Sequence, residues 1–281
     1  MVEERKVKSG TITSHVLVAG AEDLQPLILL HGAGPGANAA ANWGPIMPDL
    51  QKKFRVIAPD LVGFGKTEIP DPHPQHIMGW IGQRVEQILA MMDEMGIKKA
   101  QLVGNSMGGA LALQLLSEAP NRFENSVLMG SIGAPFTGSP ELTRLLSFYA
   151  DPRKARYRQM MHSFAYNAEK FSGMEDIVEK RFNIATDPEI RDAHQKMFGS
   201  MQGGMDSLIM PPKMLQDMPH KILIFHGRQD RVVPLETSLY LIEHLQNAEL
   251  MVLDKCGHWA QLERWDLMRP MMERHFGVTP W

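Results

Sequence analysis

The sequence predicts an α/β fold, in which helices cover both faces of a mostly parallel central sheet. Short apolar runs that end in turn-forming residues recur along the chain, and such runs are typical of strands buried on both faces. Between them lie segments with apolar residues at spacings of three and four, which is the period of a helix. Because strands alternate with helices, we expect parallel pairing through helical crossovers.

The predicted strands lie at six places along the chain. The first, at residues 26–30, reads Pro-Leu-Ile-Leu-Leu and is stopped by His31 and Gly32. The others are residues 54–58, 100–103, 126–129, 221–225 and 249–253. Two helices can be placed between them from the apolar spacing. One follows apolar residues 81, 85, 88 and 92 and stops at Gly96, and the other runs from Ser106 to Ala119, before Pro120.

One segment, residues 135–210, departs from this alternation. It has no clear apolar strand run, is rich in long helix-forming side chains, and carries ten acidic and ten basic residues. An independent helical domain is one interpretation, but strand-like runs resume afterwards. We therefore predict a helical cap, residues 135–210, inserted into a single core domain formed by residues 1–134 and 211–281.

Composition and charge exclude several classes of function. The chain has 281 residues, and its 29 Lys and Arg against 32 Asp and Glu give a formal net charge of -3, so no broad basic face is available for nucleic acid or for an acidic membrane. No apolar run approaches the ~20 residues that span a bilayer, and the charged start lacks the apolar region of a secretory signal. With the single cysteine, Cys256, this predicts a cytoplasmic protein. We expect no cofactor and no metal.

Ser106 is the candidate nucleophile. It lies in Gly-Asn-Ser-Met-Gly at residues 104–108, between a predicted strand and a predicted helix, which is the context of a nucleophile elbow. The glycines leave room for a tight turn that exposes the serine oxygen near a helix N-terminus. An ordinary glycine loop is the alternative for the pentapeptide alone.

A serine needs a base that is itself oriented by a third group. Asp230 and His258 each follow a predicted strand, and the chain order Ser, Asp, His is that of α/β-hydrolases. Asp254 is a rival acid, which we discount because it belongs to the same strand end as His258. A structural alternative for Asp230 is a loop cap or a partner of Arg231.

Acyl transfer also needs N–H donors for a developing oxyanion. One is expected from Met107, directly after the nucleophile, and another from the glycine-rich loop at residues 31–36, at Ala33 or Gly34. That loop does not match a dinucleotide or phosphate fingerprint, since the sequence has no Gly-Lys-Ser/Thr element.

Four segments resemble one family. They are His-Gly-Ala-Gly-Pro-Gly-Ala at residues 31–37 with Asn42 and Trp43, Gly-Asn-Ser-Met-Gly-Gly at 104–109, His-Gly-Arg-Gln-Asp-Arg-Val-Val-Pro at 226–234, and Cys-Gly-His-Trp-Ala-Gln at 256–261. The chain resembles the meta-cleavage product hydrolases, which cleave carbon–carbon bonds within the α/β-hydrolase fold. The resemblance spans nearly the whole chain and is weakest in residues 135–210.

The resemblance implies a small-molecule substrate, a 2-hydroxy-6-oxohexa-2,4-dienoate, cleaved by water between carbons five and six. Carried over by position, Ser106, Asp230 and His258 form the triad. The resemblance further implies that the dienoate is bound by Asn42, Asn105 and Trp259, with its carboxylate on Arg181, and that the protein is a homo-oligomer. A guanidinium suits that carboxylate because it binds in a bidentate geometry.

Other interpretations remain open at this point. A carboxylesterase or lactonase would use the same triad, and a non-catalytic receptor on a hydrolase scaffold is a more remote possibility. The attacking group is either Ser106 or a water activated by His258. The substituent on carbon six is open, with a slight preference for alkyl over phenyl. It would be recognised by the cap, in which the residues that could form a pocket or a core are Phe136, Phe148, Met160, Phe164 and Phe198.

Overall fold

Eight strands form one sheet in the computed structural model, which describes residues 1–278 apart from the side chain of residue 189. The order across the sheet is β1-β2-β4-β3-β5-β6-β7-β8, with β2 antiparallel to both of its neighbours and all other pairs parallel. The strands are β1 (Glu3–Ser9), β2 (Ile12–Ala19), β3 (Pro26–Leu30), β4 (Arg55–Pro59), β5 (Ala100–Asn105), β6 (Phe123–Met129), β7 (Ile222–Gly227) and β8 (Ala248–Leu253).

Helices cover both faces of this sheet. In chain order, the α-helices of the described residues are α1 (Ala39–Trp43), α2 (Met47–Leu50), α3 (Ile77–Glu94), α4 (Met107–Glu118), α5 (Pro140–Leu146), α6 (Lys154–Phe164), α7 (Met174–Ala185), α8 (Pro188–Gln202), α9 (Pro212–Gln216), α10 (Glu236–His244), α11 (Ala260–Glu263) and α12 (Trp265–Phe276). No helix within residues 1–278 combines the length and the apolar character needed to cross a bilayer.

The central strands are buried on both sides because their side chains alternate between two separate cores. In β3, Leu27 and Leu29 pack with α1, α2 and α12, whereas Ile28 and Leu30 pack with α3 and α4. All four are fully buried. This explains why an unbroken apolar run, rather than an alternating one, marks each central strand in the sequence.

The predicted α/β class is confirmed, and each of the six apolar runs forms a strand. The hairpin of β1 and β2 was not predicted. β1 lies at the sheet edge, where Val7 and Ser9 are its only buried residues, so its sequence is dominated by charged, exposed side chains and shows no apolar run. Charged side chains of this kind also protect a sheet edge from pairing with other chains.

Candidate functional residues meet at the edge formed by the carboxyl ends of the strands, because parallel strands all end on that side of the sheet. The glycine-rich loop follows β3, Ser106 follows β5, Gly130 follows β6, Asp230 follows β7 and His258 follows β8. Residues 135–210 lie between β6 and β7, form α5 to α8, and contact loops at this same edge. The Tyr157 hydroxyl donates to the Pro35 carbonyl at 2.7 Å, and Nε2 of His194 donates to the Gly63 carbonyl at 2.7 Å.

Candidate active site

Ser106 occupies the turn between β5 and α4 with a strained backbone. Its φ of 56° and ψ of -116° lie where residues other than glycine are rare, a conformation that costs on the order of 1–3 kcal/mol. Its own N–H donates to the Met129 carbonyl at 2.8 Å. A Cβ on Gly104 would lie 2.4 Å from the Gly108 oxygen, and one on Gly108 would lie 2.1 Å from the Leu30 oxygen. The turn therefore requires the glycines of the elbow.

Asp230 and His258 form an acid–base pair. The His258 Nδ1–H donates to Oδ2 of Asp230 at 2.7 Å, and the Asp230 side chain is only 1% exposed. The second carboxylate oxygen accepts N–H groups of Val232, at 2.8 Å, and Val233, at 3.0 Å. Because these bonds fix the carboxylate, they also fix the imidazole and leave its Nε2 available as a base.

The end of β6 connects this pair to Ser106. Met129, whose carbonyl binds the Ser106 N–H, precedes Gly130, which has a φ of 48°. A Cβ on Gly130 would lie 3.0 Å from Oδ2 of Asp230 and 3.2 Å from Nδ1 of His258. The three triad candidates thus surround one short backbone segment in which a side chain would disrupt the acid–base pair.

Two neighbouring groups do not compete with these assignments. Asp254, the rival acid, is exposed, and its Oδ1 lies 3.1 Å from Nε2 of Gln229 and 3.4 Å from Nη1 of Arg228. Cys256 is fully buried, and burial raises the pKa of its thiol, so it stays protonated and unreactive.

The loop that carries His258 is bonded directly to residues 135–210. The His258 N–H donates to the Phe164 carbonyl at 2.7 Å, and a Cβ on Gly257 would lie 2.5 Å from that same oxygen. The carboxylate of Glu263 links these two segments, because it accepts hydrogen bonds from the N–H groups of Tyr166, at 2.7 Å, and of Gly257, at 2.9 Å. Residues 135–210 thereby help to set the position of His258.

We expect Glu263→Gln to lower kcat about tenfold. The carboxylate now accepts hydrogen bonds from two backbone N–H groups, and the amide N–H₂ of glutamine would face one of these donors without accepting from it. The melting temperature should fall as well. Steady-state kinetics and thermal unfolding measure both, and Asp266→Asn, an exposed acid three residues further on, is the matched control. Unchanged kcat in Glu263→Gln would show that the base does not depend on this carboxylate.

The oxyanion donors expected from the sequence lie at the same site. Met107 is the first residue of α4, so its N–H is at the positive end of a helix. Ala33 lines the same narrow pocket as Ser106 and Met107, whereas a Cβ on Gly34 would lie 3.1 Å from Nη2 of Arg181. Ala33 is therefore better placed than Gly34 to supply the second N–H, and Gly34 leaves space for the arginine.

Arg181, on α7, presents a buried positive charge to this site. Its guanidinium lies 5.8 Å from the ring centre of Trp259, the neighbour of His258, and its side-chain Nε has no hydrogen-bond partner in the described part of the chain. The acids at residues 175 and 179 of the same helix pair with other cations. A cavity of about 800 Å³ lies between α1 and α7 and reaches the arginine from outside. The arrangement suits an anionic ligand.

The remaining predicted binding residues, Asn42, Asn105 and Trp259, are all buried. Asn42 donates to the Asn38 carbonyl at 3.1 Å, and Asn105 donates to the Met129 carbonyl at 3.2 Å, so each amide uses one N–H on the backbone. Trp259 packs against aromatic side chains of the insertion, with ring centres 5.2 Å and 5.9 Å away. These contacts hold the side chains still around the site.

A narrow apolar pocket lies beside Ser106. Its volume is about 20 Å³, room for about one water molecule. Apolar residues from α5, α8 and the Asp230 loop line it, namely Leu142, Leu145, Leu146, Met201 and Val232. A larger group can enter only if the side chains that line this pocket move apart.

The pocket is lined by none of the five residues that the sequence offered for a pocket or a core, which are Phe136, Phe148, Met160, Phe164 and Phe198. Phe148 and Phe198 instead pack on Tyr149 inside the insertion, with ring centres 5.1 Å and 5.4 Å away. Phe164 lies against the His258 ring, at 5.7 Å. Met160 is buried in the same core and Phe136 is partly buried against it.

Sequence reasoning missed two charged residues of this region. Arg84 is fully buried on the apolar face of α3, and a cation inside an apolar stripe was the signal that could have identified it. Glu263 had no such signal, since its role depends on a backbone segment about a hundred residues earlier in the chain.

The family model described as "Alpha/beta hydrolase family" matches residues 27–269. A curated 2-hydroxy-6-oxo-2,4-heptadienoate hydrolase of Pseudomonas putida is 36% identical over 261 residues, which is 92% of this chain and 91% of the relative.

Solved structures agree with this match. The 2-hydroxy-6-oxo-6-phenylhexa-2,4-dienoate hydrolase from Rhodococcus sp. strain RHA1 is 58% identical, with a TM-score of 0.98 and 99% of each chain covered. A meta-cleavage product hydrolase from Pseudomonas fluorescens IP01 is 32% identical, with a TM-score of 0.88 and 97% of each chain covered.

Proposed function

Because the chain belongs to the alpha/beta hydrolase family, and within it to the meta-cleavage product hydrolases, we propose that it hydrolyses the bond between carbons five and six of a 2-hydroxy-6-oxohexa-2,4-dienoate. The products are 2-hydroxypenta-2,4-dienoate and a carboxylic acid. Ser106, Asp230 and His258 are the catalytic triad of this proposal, and residues 135–210 are its cap.

The observation that carries the substrate class is the buried guanidinium of Arg181. Among residues 1–278 no ion pair of Arg181 is found, and its Nε has no hydrogen-bond partner. A buried charge without a counter-charge is unfavourable, and an anionic substrate would supply one. An esterase acting on neutral substrates has no use for such a group. In the proposal, Arg181 binds the dienoate carboxylate, while Asn42, Asn105 and Trp259 bind the rest of the dienoate.

The first half of the reaction moves a proton. The hydroxyl on carbon two loses its proton, and carbon five gains one, so that the dienol becomes a 2,6-diketone with an sp3 centre at carbon five. His258 carries this proton, and Asp230 holds its imidazole in the required orientation. The bond between carbons five and six can then break with its electron pair delocalised towards the ketone on carbon two.

The second half is acyl transfer. Ser106 Oγ attacks the ketone at carbon six, His258 accepts the hydroxyl proton, and the N–H groups of Met107 and Ala33 receive the oxyanion. The bond to carbon five then breaks, and the dienolate leaves and is protonated on oxygen. Water hydrolyses the acyl-enzyme to the carboxylic acid and restores Ser106. We propose Ser106 rather than water as the nucleophile because Ser106 lines the same narrow pocket as Met107 and Ala33.

The apolar pocket supports an apolar substituent on carbon six. Its walls from α5 and α8 are leucine and methionine, and methionine adapts its shape readily. Dienoates with an alkyl or a phenyl substituent are therefore both substrates in this proposal. A substituent with a second carboxylate would be buried without a positively charged partner.

A panel of coloured dienoates that differ at carbon six tests the function directly, because cleavage bleaches them. We expect rapid bleaching with methyl and phenyl substituents, and at least about a hundredfold lower kcat/KM with a carboxyethyl substituent. A nitrophenyl ester serves as the comparison substrate. Hydrolysis of the ester without bleaching of any dienoate would instead identify a carboxylesterase, the second candidate.

A cytoplasmic location and a homo-oligomeric state complete the proposal. The single cysteine supports the location, and similarity to the family supports the assembly. Light scattering coupled to size exclusion measures the assembly.

A further inference from the structure

Arg84 is a fully buried cation that the proposed reaction has not used. It lies on α3, where Trp80, Ile81, Val85 and Ile88 are also buried. Burial lowers its pKa to about 9, so it still carries its charge at neutral pH. Placing that charge in an apolar core is costly unless a counter-charge and hydrogen bonds compensate for the lost hydration.

In the described part of the chain, Arg84 contacts uncharged groups. Its Nε donates to the Val62 carbonyl at 3.0 Å, its Nη1 to Sδ of Met107 at 3.2 Å, and its Nη2 to Sδ of Met197 at 2.9 Å. The rings of Phe64 and Trp80 lie 5.3 Å and 5.8 Å from its guanidinium carbon. Among residues 1–278 no ion pair of Arg84 is found, and desolvation is the sole cause of its lowered pKa.

One of these contacts leads to the oxyanion site. Met107 supplies the N–H that receives the oxyanion in the proposed function, and its side chain accepts from Arg84. The guanidinium is therefore one side chain away from the place where negative charge develops. The two buried histidines near it, His31 and His194, have pKa values lowered to about 4, chiefly by burial, so neither competes as a positive charge.

We propose that Arg84 is a positioning residue for the oxyanion, which fixes Met107 at the start of α4 and places a permanent positive charge behind its N–H. This rests on the proposed acyl-transfer chemistry of Ser106. Its contact with Met197 of α8 makes the same guanidinium a link between the elbow and the insertion, so the charge is held in place from both sides.

The test relies on opposite expected effects of one substitution, Arg84→Met, on thermal stability and on catalytic rate. Replacing an unpaired buried charge by an apolar group of similar size is often neutral or stabilising, whereas removing a preorganised charge slows the chemistry. For Arg84→Met we expect kcat to fall about tenfold or more, KM to stay within about twofold, and the melting temperature to equal or exceed that of the wild type. Arg84→Lys, which keeps the charge, should recover part of the lost kcat.

Two further variants isolate the path through Met107. In Met107→Leu the sulfur acceptor is lost, and the double variant with Arg84→Met should lose no more kcat than Arg84→Met alone, because contacting residues that act together are not additive. Ile88→Val, a buried change on the same helix, controls for lost packing and should leave kcat within about twofold.

Each alternative outcome overturns the proposal. Unchanged kcat in Arg84→Met does so, as does a fall in kcat accompanied by a lower melting temperature, by no recovery in Arg84→Lys, or by failure to fold. The variants are measured on both the dienoate and the nitrophenyl ester, since both form an oxyanion at the same donors. If the wild type bleaches no dienoate, the proposed substrate is wrong, while the ester data still decide the role of Arg84.

Discussion

Ser106→Ala should reduce dienoate cleavage by at least about a thousandfold while leaving substrate binding largely intact, because the nucleophile is lost but Arg181 and the apolar pocket remain. Single-turnover mixing at high enzyme concentration measures both: the bound dienoate stays coloured, and its absorption reports binding. Turnover at the wild-type rate would refute the assignment of Ser106.

A second variant separates chemistry from backbone strain. Ser106→Gly is equally inactive in this proposal. Glycine adopts a φ of 56° without backbone strain, whereas serine and alanine are both strained in that conformation. We therefore expect Ser106→Gly to melt at a higher temperature than Ser106→Ala. A lower melting temperature for the glycine variant would show that the elbow conformation is not strained.

Arg181→Gln should lower kcat/KM for a dienoate about a hundredfold and leave hydrolysis of a neutral nitrophenyl ester within about threefold, because only the dienoate presents a carboxylate to the guanidinium. Arg181→Lys should lie between the two, since an ammonium group keeps the charge but not the bidentate geometry.

The neutral ester is what makes the Arg181 comparison decisive. Arg181 is also stacked on Trp259, so a purely structural loss would impair both substrates to the same extent. Equal losses on the two substrates would remove the support for a carboxylate-binding role, and the esterase interpretation would then account better for the triad.

The sequence was informative wherever local pattern and chain order were enough. Apolar runs marked the strands buried on both faces, and the glycines around Ser106 marked a turn whose close contacts admit no side chain at residues 104 and 108. Because parallel strands end at one edge, the order of Ser106, Asp230 and His258 along the chain was enough to predict that they lie near one another. The structure brings Asp230 and His258 to 2.7 Å.

Other features depended on tertiary contacts alone. The N-terminal hairpin is stabilised by pairing at a sheet edge rather than by an apolar run, so no pattern marked β1. The choice between Ala33 and Gly34 required the approach of Arg181 from a helix well over a hundred residues away. The sequence left open whether the aromatic residues of residues 135–210 line a pocket or form a helical core. In the structure several of them pack against one another and leave leucines and methionines to face Ser106.

By itself, the sequence determined the fold class and the triad candidates, and its resemblance to one family implied that Arg181 binds an anionic substrate. Only the tertiary structure decided which charges are buried and what surrounds them. The sequence does not show the partners of Arg84 and Glu263, which include Met197 and Tyr166, both within residues 135–210. The physical reason is that burial and pairing, which set the energy of a charge, are properties of the packed chain.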